Sequence, residues 1–171
     1  MAIPLAKPRS KRNILRLTEI IRESLGLRDK LYFPIMYFLE NILTQIDPEL
    51  VIDITDDGMD NIYACYIPQE NTLKIRTSVY ERACDDVGRD RFTIAHEIGH
   101  YFLHRKGVIL SRRDSGHVES FYDPEWQANT FASFILMPPS LIRNMTNEEI
   151  ACKCCTSLSA AMIANKKSQT L

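Results

Sequence analysis

Three of the chain's four histidines fall within nine residues, as His96, His100 and His104. The first two bracket an acid in the run His96-Glu97-Ile98-Gly99-His100. On a helix, H-E-x-x-H spacing sets two imidazoles one turn apart with a carboxylate beside them. At about 100° per residue, His96 and His100 lie roughly 40° apart on one face, so both rings can converge on one ion. Glu97 projects about 100° from His96, which places it to flank an ion and hold a water. The chemistry to expect is metal-assisted hydrolysis with Glu97 as general base. His104 lies eight residues past His96, about 12 Å along the helix axis. Zinc–nitrogen bonds of about 2.0–2.1 Å require ligand atoms much closer together than that. His104 is therefore expected as a supporting or packing residue at the cleft mouth.

A third ligand must come from elsewhere. The downstream candidates are Asp114, Glu119, Asp123, Glu125 and His117. Asp123-Pro124 reads as a helix start, with Asp as N-cap and Pro at the first helical position. Glu125 then sits at the second position of a rigid element. Ala128, Asn129 and Ala132 follow on the same side of that helix. The alanines allow a close approach to the histidine helix, and Asn129 can orient a ligand histidine. Glu119 and His117, in an expected loop, remain alternatives.

The elements that must position these groups are legible in outline. Arg89 to Arg105 reads as one helix, apolar along Phe92, Ala95, Gly99, Phe102 and Leu103 and again along Ile94, Ile98 and Tyr101. A helix apolar nearly all round is buried. Leaving two histidines and a glutamate unpartnered there would be costly, and a metal ion removes that cost. The Asp123 helix is expected to end at about Met137, before Pro138-Pro139. Upstream, Asn13 to Ser24 reads as an amphipathic helix, and a second runs from about Pro34 to Leu43. Three β-type runs, Val51–Thr55, Asn61–Ile67 and Thr72–Thr77, suggest an antiparallel meander. After Thr146 and Glu149, which form a capping-box pattern, two short helices are expected. The expected fold is α+β, a small antiparallel three-stranded sheet packed on a helical core that holds the histidine helix. One domain is expected over 1–171. It comprises a flexible basic arm (1–12), helices and meander (13–88), the metal-site helices (89–139) and C-terminal helices (140–171).

Composition excludes several other classes. The chain has 171 residues, 45% hydrophobic and 25% charged, which argues against disorder as the main state. Its 21 basic and 22 acidic side chains give a net charge of -1. That disfavours a nucleic-acid binder working through the arm (Lys7, Arg9, Lys11, Arg12, Arg16) or through the C-terminal helices. The longest apolar run, Leu31 to Leu39, is far short of the ~20 residues of a membrane span. The first residues lack the apolar stretch of a secretory signal. Of five cysteines, three crowd into Cys152, Cys154 and Cys155, with no second pair for a zinc knuckle. A cytoplasmic protein with reduced, structural cysteines is expected.

Two blocks together resemble the ImmA/IrrE family of metallopeptidases. They are Arg91-Phe92-Thr93-Ile94-Ala95-His96-Glu97-Ile98-Gly99-His100 with Leu103-His104, and Glu125-Trp126-Gln127-Ala128-Asn129-Thr130-Phe131-Ala132 with Leu136-Met137-Pro138. The resemblance implies a zincin-like fold, zinc held by His96, His100 and Glu125, and Glu97 as general base. With three protein ligands, a fourth position stays open for catalysis. An oxyanion donor is expected too, with His117, Tyr122 and Tyr101 as candidates by residue type. Substrate is expected to add as a strand to an exposed edge, either Asn61–Ile67 or Thr72–Thr77. The resemblance further implies cleavage of a helix-turn-helix repressor of a mobile element, a stress response or a toxin–antitoxin-like pair. Some relatives carry such a DNA-binding domain at the N-terminus, for which residues 1–30 are too short. The repressor is therefore expected as a separate chain. The competing expectation is a metal-stabilised, non-catalytic module acting by protein–protein binding, against which the intact Glu97 argues.

Overall fold

A computed structural model describes residues 3–105, 109–111 and 119–169. In chain order the elements begin with β1 (Ile3–Leu5), α1 (Lys11–Ser24) and α2 (Ile35–Tyr37). A π-helical segment (Phe38–Leu43) joins α2 to α3 (Thr44–Ile46). Then come β2 (Val51–Ile54), β3 (Ala64–Ile67), β4 (Thr72–Ile75), α4 (Thr77–Cys84), α5 (Gly88–His104) and β5 (Ile109–Ser111). A 3-10 turn (Ser120–Tyr122) precedes α6 (Pro124–Leu136), α7 (Pro139–Ile142), α8 (Asn147–Cys154) and α9 (Leu158–Ser168). The fold is α+β.

Helix starts follow local chemistry. The Ser10 side chain accepts from Asn13 N–H and opens α1. Asp123 accepts from Glu125 N–H at 2.9 Å, with Pro124 at the first turn of α6. Thr146 and Glu149 cap α8 reciprocally, as their spacing predicts. Helix α8 stops at Cys155, whose φ of 50 is left-handed.

Helices α5 and α6 form the centre of the molecule. They approach closely because Gly99 has no side chain: a Cβ there would lie 3.2 Å from Ala128 Cα and from Phe131 Cβ. Gly88, at the start of α5, touches the α8–α9 turn even more tightly, since a Cβ would sit 2.4 Å from the Thr156 carbonyl carbon. Around this pair Phe33, Leu39, Leu73, Ile94, Ile98, Phe131 and Ile135 form a continuous buried core. Arg91, itself buried, bonds the carbonyls of Phe33 and Cys155 and the Tyr32 hydroxyl, and pairs with Asp86. One guanidinium thereby ties the N-terminal segment and the C-terminal helices to α5.

The sheet differs from the expected meander. Its order is β2-β4-β3, with β3 antiparallel to β4 but β2 parallel to β4. The sheet is therefore mixed, and β4 is its central strand. The Thr72–Thr77 run cannot offer a free edge, while β3 can. Nor does that run stay extended to its end, because Thr77 begins α4. The N-terminal arm is not loose over its described part. Strand β1 pairs antiparallel with β5, Ala6 is buried, and the N–H groups of Ala6 and Arg9 donate to the carbonyls of Tyr122 and Phe121. Among the described residues, no helix is long and apolar enough to cross a membrane.

Candidate metal centre

Helix α5 carries His96, Glu97, His100 and His104; α6 carries Glu125, Gln127 and Asn129. The close Gly99–Ala128 contact brings the two rows together. His96 Nε2 and His100 Nε2 lie 2.9 Å apart. Glu125 spans them, with Oε2 3.2 Å from His96 Nε2 and Oε1 3.3 Å from His100 Nε2. Ligand atoms around a tetrahedral zinc ion are about 3.3 Å apart, so the three groups fit one ion.

The hydrogen bonds behind the rings support that fit. Gln127 donates both amide hydrogens, to the carbonyls of Lys7 and Phe121, so its Oε1 can only accept. Oε1 faces His104 Nε2 at 3.1 Å, which places the proton there. Burial pulls the pKa of His104 down to about 4, against the Gln127 hydrogen bond, so this ring is neutral near pH 7. Its Nδ1 is then a bare acceptor and takes the proton of His100 Nδ1 at 2.9 Å. His96 Nδ1 faces Asn129 Oδ1 at 3.1 Å and carries a proton likewise. Both Nε2 atoms therefore present lone pairs to the same point, an arrangement a cation relieves. Without a cation a proton takes that point instead: burial opposes charging of His96, but the hydrogen bond it then donates to Glu125 and the Glu97 and Glu125 charges outweigh burial and raise its pKa. In that protonated form the hydrogen bonds that His100 and His96 donate through Nε2 hold the Glu125 carboxyl far below the usual carboxylate range.

Glu97 stands beside the trio and outside it. It is 8% exposed, and its Oε2 accepts from Tyr66 N–H of strand β3 at 2.9 Å. Burial raises its pKa, against the pull of His96, His100 and the Tyr66 N–H. One oxygen is thus anchored, and the carboxyl has raised proton affinity, as a general base needs.

The other candidates are placed differently. His104 is not at the cleft mouth but buried behind His100, 3% exposed. Asp123 caps α6, and Glu119 is exposed at the start of the 3-10 turn. The Tyr101 hydroxyl turns to Asp47 at 3.0 Å, away from the trio. The Tyr122 ring lies tilted against Phe121, with centroids 4.7 Å apart. His117 and Asp114 lie outside the described residues. Gln127 escaped the sequence reading. Its signal was available: a polar residue on the stripe Gln127, Thr130, Phe131, Phe134 that α6 buries.

Residues 51–151 match the peptidase family M78, described as an IrrE N-terminal-like domain. The chain belongs to the M78 family. No curated protein matches it. The M78 segment runs from β2 into α8, so it contains the trio, Glu97 and the residues that hold them. Membership supports a metallopeptidase, with His96, His100 and Glu125 as a possible metal site. Helices α1 and α9 lie outside the M78 match.

Proposed function

We propose that this M78 protein is a zinc-dependent endopeptidase. The observation that carries the reading is the convergence of two Nε2 lone pairs and the Glu125 carboxylate, with buried Glu97 alongside. Two imidazoles and one carboxylate suit zinc and leave a coordination position open. A zinc ion bound there acidifies water and polarises a peptide carbonyl. Glu97 takes the proton of the attacking water and passes it to the leaving amine. Its Oε2 is anchored by Tyr66 N–H, which leaves the second oxygen to carry that proton.

The preferred substrate is a separate helix-turn-helix repressor or antitoxin, a reading supported by the ImmA/IrrE resemblance. The compartment that suits it is the cytoplasm, in keeping with five free cysteines.

The test is elemental analysis of the purified protein beside His100→Ala and Glu125→Ala. One zinc per chain, lost in both variants, is expected, together with cleavage of a cognate repressor that Glu97→Gln abolishes. Repression relieved equally by Glu97→Gln would overturn the peptidase reading in favour of a binding module.

A further inference from the structure

A groove of about 660 Å³ opens beside Glu125 and Asn129 and follows the first turns of α5 to α9. That volume is in the range of roughly 300–1,000 Å³ typical of ligand sites. Its apolar walls are Phe92, Trp126, Ala160 and Ile163. Helix α9 packs on the molecule through Ala161, Ala164 and Ser168. Ile163 is on another face and stays 56% exposed, so the groove is not closed by the core.

The direction of β3 says which part of a peptide reaches this groove. Tyr63, just before β3, lies under Arg89 at the start of α5, whereas Tyr66 meets Glu97 two turns later. Strand β3 therefore runs alongside α5 in the same direction. Tyr63 carbonyl accepts from Arg76 N–H, so ladder alternation turns the backbone groups of Ala64 and Tyr66 to the outer edge, where Glu97 already takes the Tyr66 N–H and the Ala64 N–H and the carbonyls of Ala64 and Tyr66 are left for a peptide. A peptide added antiparallel to that edge, with its scissile carbonyl at the trio, carries its following residues toward Arg89 and the groove.

We propose that the groove takes a large apolar side chain, such as Leu, Ile, Met or Phe, from the residue that follows the scissile bond, and that α9 sets this preference. The proposal rests on the peptidase reading. A charged side chain would lose its hydration against Phe92, Trp126 and Ile163, and because the lining carries both signs of charge (Arg89 and Lys167, Asp123 and Glu125) it favours neither Asp nor Lys overall. Because α9 lies beyond the matched segment, the selectivity belongs to this chain's own C-terminal helix.

Trp126 is the sole tryptophan, so its emission reports on the groove. The probes are acetyl-Ala-Gly-Xaa-Ala-amide peptides with Leu, Phe, Asp or Lys at Xaa, titrated into full-length, zinc-loaded Glu97→Gln protein. Saturable shifts are expected with Leu and Phe, and binding at least about ten-fold weaker with Asp and Lys. Ile163→Glu removes the preference at unchanged zinc content. Met162→Glu, on the same helix but off the groove wall, leaves it intact. Equal response to all four peptides, no response to Leu, or equal loss in both variants overturns the proposal. Cleavage by the wild type is read separately. Selection without cleavage removes the peptidase reading and keeps the side-chain site, whereas cleavage without selection does the reverse.

Discussion

The Nδ1 atoms of His100 and His104 face each other at 2.9 Å, so one ring donates and the other accepts. Gln127 decides the direction, because its own hydrogens are committed to two carbonyls. The proton order runs from His100 to His104 to Gln127 and leaves His100 Nε2 bare toward Glu125.

Removing that order weakens metal binding without touching a ligand. His104→Phe keeps a ring in the pocket but takes away the acceptor for His100. Zinc affinity should fall about 10–100-fold. Competition against a chelating dye measures it, and a melting curve without metal checks that the fold is retained.

Glu97→Gln separates binding from chemistry. A glutamine carbonyl oxygen still accepts from Tyr66 N–H, so the local structure holds. Zinc stoichiometry is expected to be unchanged, while peptide hydrolysis falls by about 10²–10⁴-fold. Loss of zinc in this variant would contradict the placement of Glu97 outside the ligand set.

Gly88→Ala tests the contact between α5 and the C-terminal helices. The new methyl would meet the Thr156 backbone at 2.4 Å, and backbone cannot swing aside as a side chain can. A loss of about 1–3 kcal/mol is expected from overpacking of this kind, read as a lower urea midpoint. The α8–α9 turn and the groove wall should loosen with it.

Asp47 supplies part of the acid sensitivity. The hydrogen bond from Asn71 lowers its pKa, as do Tyr101, Arg105 and the Glu49 N–H, while burial works the other way. A depressed carboxyl stabilises the fold above its unfolded pKa and loses that contribution as pH falls through the folded value. Asp47→Asn should therefore be less stable than wild type near neutrality, and its stability should fall less between about pH 5 and 2. Urea midpoints across that range give the comparison.

What could be read from sequence was what short-range chemistry decides. Asp123 and Thr146 announce helices because a cap needs only its own next three residues, whereas Ser10 opens α1 at Lys11, inside the run expected as a flexible arm. His96, Glu97 and His100 were legible because helical spacing alone sets their geometry. Strand order was not. Val51 pairs with Thr72, and nothing in Val51–Ile54 encodes that this neighbour runs parallel. The basic residues of the arm suggested solvent, yet Lys7 serves through its backbone carbonyl, which no side-chain pattern reveals. Gln127 stayed hidden for the same reason, as its three partners come from three separate segments.

The Lys7–Gln127 bond joins positions 120 residues apart. During translation at about 5–20 residues per second, Lys7 is made roughly 6–24 s before its partner exists. The histidine motif is synthesised within that interval, without the amide that orders its protons and without Glu125. The nascent chain therefore exposes an unfinished pair of imidazoles, and the three candidate ligands stand together only once the growing end has passed α6. A complete candidate metal site is thus a product of maturation, timed by the meeting of an earlier-made segment with a later one.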